Sequence, residues 1–294
     1  MVKYRPNEKK NKKRNDAKKN EQMFVERLCL PADTRRVLVT ENDIFSSGAD
    51  NYWLQYHRLV EQPNDQEKER LRPSVFHFKP AFQQELFDNL VKRQKKIIAD
   101  SGWESQWFQV SFEWRLALGL GDASVYETSI TLHPLYGYPY LPAQAIKGVC
   151  LSYMIFEYFD GEEKKAEQSQ AFRFLFGDQD EQGSVIFTDS IPVQIPKIKE
   201  DIINVHYKMY YQQQKWPVDY DTPSLVSFPV VEKPRFQFGV LLKENVTFTE
   251  EPFRDETATQ VLKKLVSGAF SEHGIGAKTA VNYGYGIAQS IEGW

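Results

Sequence analysis

Only two cysteines, Cys29 and Cys150, occur in 294 residues. That scarcity excludes a disulfide framework and any zinc site built mainly on thiolates. No apolar run approaches the roughly 20 residues that cross a bilayer as a helix. The N-terminus also lacks the apolar core of a secretory signal, so a reducing, cytoplasmic setting without membrane partners is expected. The five histidines (His57, His77, His133, His206 and His273) do not pair at metal-ligand spacing, so no metal and no cofactor is expected. Net charge is small, −3, which argues against indiscriminate adhesion to nucleic acid.

The charge that is present is unevenly placed. Nine Lys and Arg residues against Glu8 and Asp16 give the first twenty residues a net +7, leaving −10 on the remainder. Residues 1–22 read as a basic, apolar-poor arm that stays disordered or touches RNA or an acidic partner. With 41% hydrophobic and 14% aromatic residues, the rest can bury the core of one large domain or two small ones.

Residues 23–106 read as a partly helical extension. Its one clear helix, "PAFQQELFDNLVKRQKKIIADSG", sets Phe82, Leu86, Leu90, Ile97 and Ile98 on one stripe. From residue 107 the pattern is regular. "QVSFEWRLALGL" alternates, with Val110, Phe112, Trp114, Leu116 and Leu118 on one face, and predicts a strand. "LPAQAIKGVCLSYMIFEYF" predicts a helix with Pro142 at its start. "GSVIFTDSIP" and "RFQFGVLL" predict strands. "TATQVLKKLVSGAFSEH" predicts a helix opened by a Thr257–Gln260 capping box, and "YGYGIAQSI" a closing strand. The order β-α-β, a long Pro- and Tyr-rich insertion at Ile191–Pro234, then β-α-β predicts an α+β, ferredoxin-like (RRM-like) fold. "FGDQDEQG", with Asp178, Asp180 and Glu181, reads as a polar turn because the EF-hand spacing is missing.

The stretch "SEHGIGAKTAVNYGYG" gathers four glycines around Lys278. It is not a P-loop, because Ala277 precedes the lysine and Glu272 occupies the first glycine's place. A dinucleotide fingerprint fails at Thr279 and would need a preceding strand, whereas a helix precedes here. What remains is a structural turn or a contact to a nucleic-acid backbone. The start of the helix after Pro142, with Gln144 and Lys147, is a second phosphate candidate. His206 and His273 could do acid–base work, but no nucleophile–base constellation accompanies them. Structural or RNA-contacting roles are expected instead.

Four ordered stretches, "LALGLGDASVYETSITLHPLYGYPYLPAQAIKG", "FLFGDQDEQGSVIFTDSIP", "VHYKMYYQQQKWPVDYDTPSLVSF" and "GIGAKTAVNYGYG", resemble the RAMP superfamily. Within it the chain resembles the sixth-subunit family of type III-B CRISPR (Cmr) effector complexes. The resemblance implies a RAMP fold and a non-catalytic, guide-RNA-binding role at one end of a subunit filament in antiviral defence. Implied partners are the CRISPR guide RNA, the target RNA and other subunits of the complex: the filament backbone, the small subunit and the terminal RAMP subunit. The implied RNA contacts are Arg115, His133, Gln144, Lys147, Gly274, Gly276, Lys278, Thr279 and Asn282. The family's Pro-Gly-Ser-Ser turn before the lysine reads Pro142, Ala143, Gln144, Ala145 here. A metal-independent endoribonuclease of the same superfamily is the alternative. Within the insertion, Tyr207, Tyr210, Tyr211 and Trp216 with Lys208 and Lys215 suit single-stranded nucleic acid or packing onto a neighbour.

Overall fold

The computed structural model describes residues 30–32, 51–58, 82–124, 126, 128–205, 216 and 224–291. The basic arm, His77, His206 and the expected insertion contacts other than Trp216 lie outside the described residues. The chain divides into two compact units. In the first, helix α1 (Tyr52–Arg58) buries Tyr52 and Tyr56. The Tyr56 hydroxyl donates to the Thr128 carbonyl at 3.0 Å, and the Asn51 amide donates to the carbonyls of Pro134 and Leu135.

The second unit begins at Phe82 and is built on a five-stranded sheet. Its strands are β1 (Glu104–Phe112), β3 (Val185–Phe187), β4 (Ile191–Pro192), β7 (Arg235–Leu242) and β8 (Gly286–Ile291). Strand order is β3-β7-β1-β8, with β4 following β3 along the same flank of β7, and every pairing is antiparallel. With β3 and β4 counted as one broken strand, this is the ferredoxin-like arrangement that the element order implies.

Alternation sends Phe108, Val110 and Phe112 of β1 and Phe236, Phe238 and Val240 of β7 to one face, all buried. The same unit contains helices α3 (Ala143–Tyr158) and α6 (Ala258–Gly268) and the short α4 (Glu163–Gln168) and α5 (Gln170–Phe176). The capping box opens α6 as expected: Gln260 N donates to Thr257 Oγ1 and Thr257 N donates to Gln260 Oε1. Val261, Leu262, Leu265 and Val266 are fully buried, and the π-helical turn Ala269–His273 brings Phe270 against Phe112 and Phe238. Each such aromatic contributes about 1.5–3 kcal/mol of burial.

Helix α2 (Gln84–Asp100) covers the other face at β7. A Cβ on Gly239 would lie 2.7 Å from Ile98 Cδ1, and Gly239 alternates with the inward-facing Phe238 and Val240. The stripe on α2 differs from the expected one. Phe87 and Ile98 are buried, while Ile97 is 60% exposed. The face is turned by one position because Gln94 and Lys95 also contact the sheet side, Gln94 donating to the Asp189 carbonyl and Lys95 lying over Trp107. RNA-recognition domains stack bases on the central strands of this face. Here α2 occupies that face at β7, so any RNA site must lie elsewhere or toward β8.

Two further expectations are corrected. The predicted strand 109–118 is two strands, β1 and the short β2 (Arg115–Leu116), with a bend at Glu113 and Trp114. Trp114 therefore leaves the buried face and is 45% exposed. The insertion, aperiodic in sequence, contains a hairpin of β5 (Lys197–Val205) and β6 (Ser224–Glu232), and β2 completes a three-stranded sheet β2-β6-β5. Pro229 sits in β6 opposite Glu200. It is tolerated because β2 pairs only with Val231 and Glu232, which leaves that flank of β6 without a strand beside the proline.

Candidate nucleic-acid interface

The glycine-rich loop docks on the end of β2. Ala277 N donates to the Ala117 carbonyl at 2.8 Å, and Gly284 N donates to the Arg115 carbonyl at 3.1 Å. Ile275 N donates to Gly284 O at 2.9 Å, closing the neck of the loop. At Gly276 (φ +92°) a Cβ would sit 2.4 Å from the Ala117 carbonyl oxygen. The close approach of the two segments, separated by some 160 residues, thus requires glycine there.

Between these anchors a 3-10 turn, Thr279–Val281, is flanked by Lys278 (φ +66°) and Asn282 (φ +70°) in the left-handed region. Asparagine adopts that conformation readily; lysine does so at a cost of roughly 1–2 kcal/mol. The backbone N–H groups of Gly276, Lys278, Thr279 and Ala280 donate to no acceptor among the described residues. The Lys278 ammonium has no acidic partner there either; it lies 5.6 Å over the Phe228 ring. Free N–H groups beside a cation on a turn suit an anion.

Beneath the loop lies a small core of Ala117, Phe228, Val230 and Tyr283. Asp201 of β5 binds this assembly together. Its carboxylate accepts from the Arg115 guanidinium and, at 2.5 Å, from the Tyr283 hydroxyl. Burial is the largest influence on Asp201 and raises its pKa. Donation by Tyr283, Arg115 and the Ile202 N–H outweighs it, so the carboxyl titrates below its ordinary value. Burial, followed by the bond to Asp201, pushes the Tyr283 phenol up to about 12.

The structure separates the sequence-derived residues into groups. Arg115, Gly274, Gly276, Lys278, Thr279 and Asn282 belong to one assembly, with Thr279 Cγ2 3.2 Å from where a Gly274 Cβ would stand. Within it the Arg115 charge is engaged by Asp201. Gln144 is exposed on the first turn of α3. The first N–H of that helix, from Ala143, already donates to Asp189 Oδ1 at 2.7 Å, so a carboxylate holds the place considered for phosphate. Lys147 Nζ donates to the Phe176 carbonyl at the end of α5, a favourable use of a cation at a helix C-terminus. His133 lies in the first unit, where its Nδ1 accepts from Leu135 N and its ring packs on Tyr136. His273 packs against Tyr153 and Phe156 and faces Glu157 at 3.7 Å. Asp178 accepts from the N–H groups of Asp180 and Glu181, a polar turn as expected.

Sequence reasoning missed Trp114, Asp201 and Tyr283. The aromatic pair Trp114–Tyr283 (4.6 Å) and the Asp201 contacts join positions 82 to 169 residues apart. No local signal announces such pairs.

The RAMP superfamily profile matches residues 115–288, a span that holds this whole assembly. The CRISPR system Cmr subunit Cmr6 of Pyrococcus furiosus is 30% identical over 58% of this chain and 64% of its own length. The Cmr6 of Saccharolobus solfataricus is 26% identical over 70% of this chain and 64% of its own. The chain thus spans just under two thirds of these curated relatives. A chain of the cryo-EM structure of the Type III-B Cmr-beta bound to cognate target RNA superposes with a TM-score of 0.54 at 20% identity, covering 72% of this chain and 69% of that one. This last likeness concerns the fold alone. With the profile match running across β2, the hairpin, the glycine loop and the first half of β8, the chain belongs to the RAMP superfamily.

Proposed function

We propose that this protein is a type III-B CRISPR effector subunit that binds the guide RNA backbone through its glycine-rich loop and has no catalytic part of its own. One observation carries the reading: among the described residues Lys278 has no acidic partner, and it stands in a strained backbone conformation beside N–H groups that have no acceptor there. Strain of this kind persists only where the surroundings fix it, and it gathers at binding sites. The relatives named as Cmr subunits support membership of such a complex, and the fold is shared with a chain of a complex solved with target RNA.

The test uses the full chain with guide RNA over a salt series. Lys278→Ala is expected to flatten the log–log salt slope by about 0.7, one single-stranded phosphate contact. Lys278→Gly should flatten it equally while leaving stability intact, since glycine relieves the left-handed strain. Lys147→Ala, by contrast, should lower thermal stability more than it changes the slope, because its ammonium caps α5. An unchanged slope in both Lys278 variants would overturn the backbone reading. Incubation with repeat RNA is expected to yield no cleavage. Turnover abolished by His273→Ala would instead establish the nuclease.

A further inference from the structure

Beside the glycine loop, on the β8 side, lies an open groove of about 590 Å³ whose lining includes Glu113, Trp114, Val281, Asn282, Tyr285 and Ile287. We infer that this groove takes one unpaired base of a bound RNA strand, stacked on Trp114 and read by Glu113. The inference rests on the RNA-binding reading above and adds a base-specific subsite to it.

The indole is the first argument. The bend between β1 and β2 turns Trp114 out of the core, and one side of it packs on Tyr283 at 4.6 Å. Almost half of it remains exposed. The Arg115 guanidinium, fixed by Asp201, stands 5.9 Å from the ring. A large ring buttressed by Tyr283 and nearly half exposed can serve as a stacking platform. Val281 and Ile287, 57% and 51% exposed, supply apolar walls.

The polar groups are the second argument. The side chains of Glu113, Asn282 and Tyr285 make no hydrogen bond or ion pair among the described residues. The lining contains a carboxylate and neither lysine nor arginine. A phosphate would be repelled there. A base edge that offers N–H groups would be held. A carboxylate only accepts, so guanine, with N1–H and N2–H side by side, suits it best. Uracil suits it least, because its single N–H lies between two carbonyl oxygens. Lys278 and Asn282 stand at opposite ends of the 3-10 turn, so a strand whose phosphate meets Lys278 can present a neighbouring base to the groove.

The experiment compares full-length protein binding to a ten-residue oligouridine and to the same strand with one central guanosine. Preference for the guanosine strand is expected. Glu113→Gln, at an exposed and unpartnered position, should abolish the preference without altering stability. Trp114→Ala should weaken the guanosine strand roughly tenfold or more. Trp114→Phe, which keeps a ring against Tyr283, should retain part of that affinity and guards against misfolding. Equal binding of both strands by wild type and variants, with the Lys278 salt effect intact, would overturn the base subsite and leave the backbone reading standing. Absence of binding to any strand would overturn both. Unchanged RNA affinity with loss of a co-purifying subunit in Trp114→Phe would overturn the subsite in favour of a protein contact.

Discussion

Gly284→Ala is expected to cost the second unit about 3 kcal/mol or more of stability and to abolish RNA binding at the glycine loop. Gly284 has φ +75°, and an added Cβ would stand 1.9 Å from the Ile275 carbonyl oxygen and 3.0 Å from its carbon. Those atoms are backbone, so no rotamer change relieves the clash. The loop must open, and two bonds go with it: Ile275 N to Gly284 O and Gly284 N to Arg115 O. Left-handed strain adds roughly 1–2 kcal/mol and each lost bond about 1 kcal/mol. Gly102→Ala separates the two effects. Its φ is +71°, but nothing lies within 4 Å of the added carbon, so only the left-handed conformational cost of roughly 1–2 kcal/mol remains. Urea denaturation followed by tryptophan fluorescence gives both values. Equal losses in the two variants would show that the neck of the loop opens freely and does not hold Lys278 in place.

The contrast between the two glycines also shows where the sequence is legible. The capping box at Thr257 and the buried stripe on α6 are local patterns, set by spacing within a few residues, and both are present as read. The ferredoxin-like order follows from the same local signals taken in sequence. The hairpin β5–β6 was hidden because Pro229 breaks the pattern of β6 and Lys199 and Asp201 fall on the face turned toward the small core. That face tolerates Asp201 only because Arg115 and Tyr283, 86 and 82 residues distant, supply donors. The bend that exposes Trp114 is likewise invisible in strict alternation. It arises where the paired ribbon β1–β7 passes into β2–β6, and the ladder continues through Phe112 N to Pro234 O and Lys233 N to Trp114 O. Of the candidate site, the glycine loop was therefore readable by itself, and the residues that fix it in space were not.

Asp201 is the clearest of these, and its replacement should have the second large effect. Asp201→Ala leaves the Arg115 guanidinium and the Tyr283 hydroxyl without their shared acceptor. Tyr283 is buried, whereas the Arg115 side chain is 28% exposed and can turn partly to water. A loss of about 2 kcal/mol is therefore expected, in the range for an unsatisfied buried group and below that for a fully buried ion pair. The same contact predicts a pH dependence. The carboxyl is held below its ordinary value, so it contributes stability fully above about pH 4 that is lost as pH falls through the folded-state value. The Tyr283 phenol is raised to about 12, so its contribution is complete below about pH 10 and is lost as pH rises through 12. The stability gap between wild type and Asp201→Ala should thus be constant from about pH 5 to 9 and narrow outside that window. Because Asp201 is the tie between the hairpin and the loop, hydrogen exchange in β5 and at Tyr283 should accelerate together in the variant. Acceleration confined to β5, with Tyr283 still protected, would mean that the small core alone holds the loop and that the carboxylate is dispensable to it.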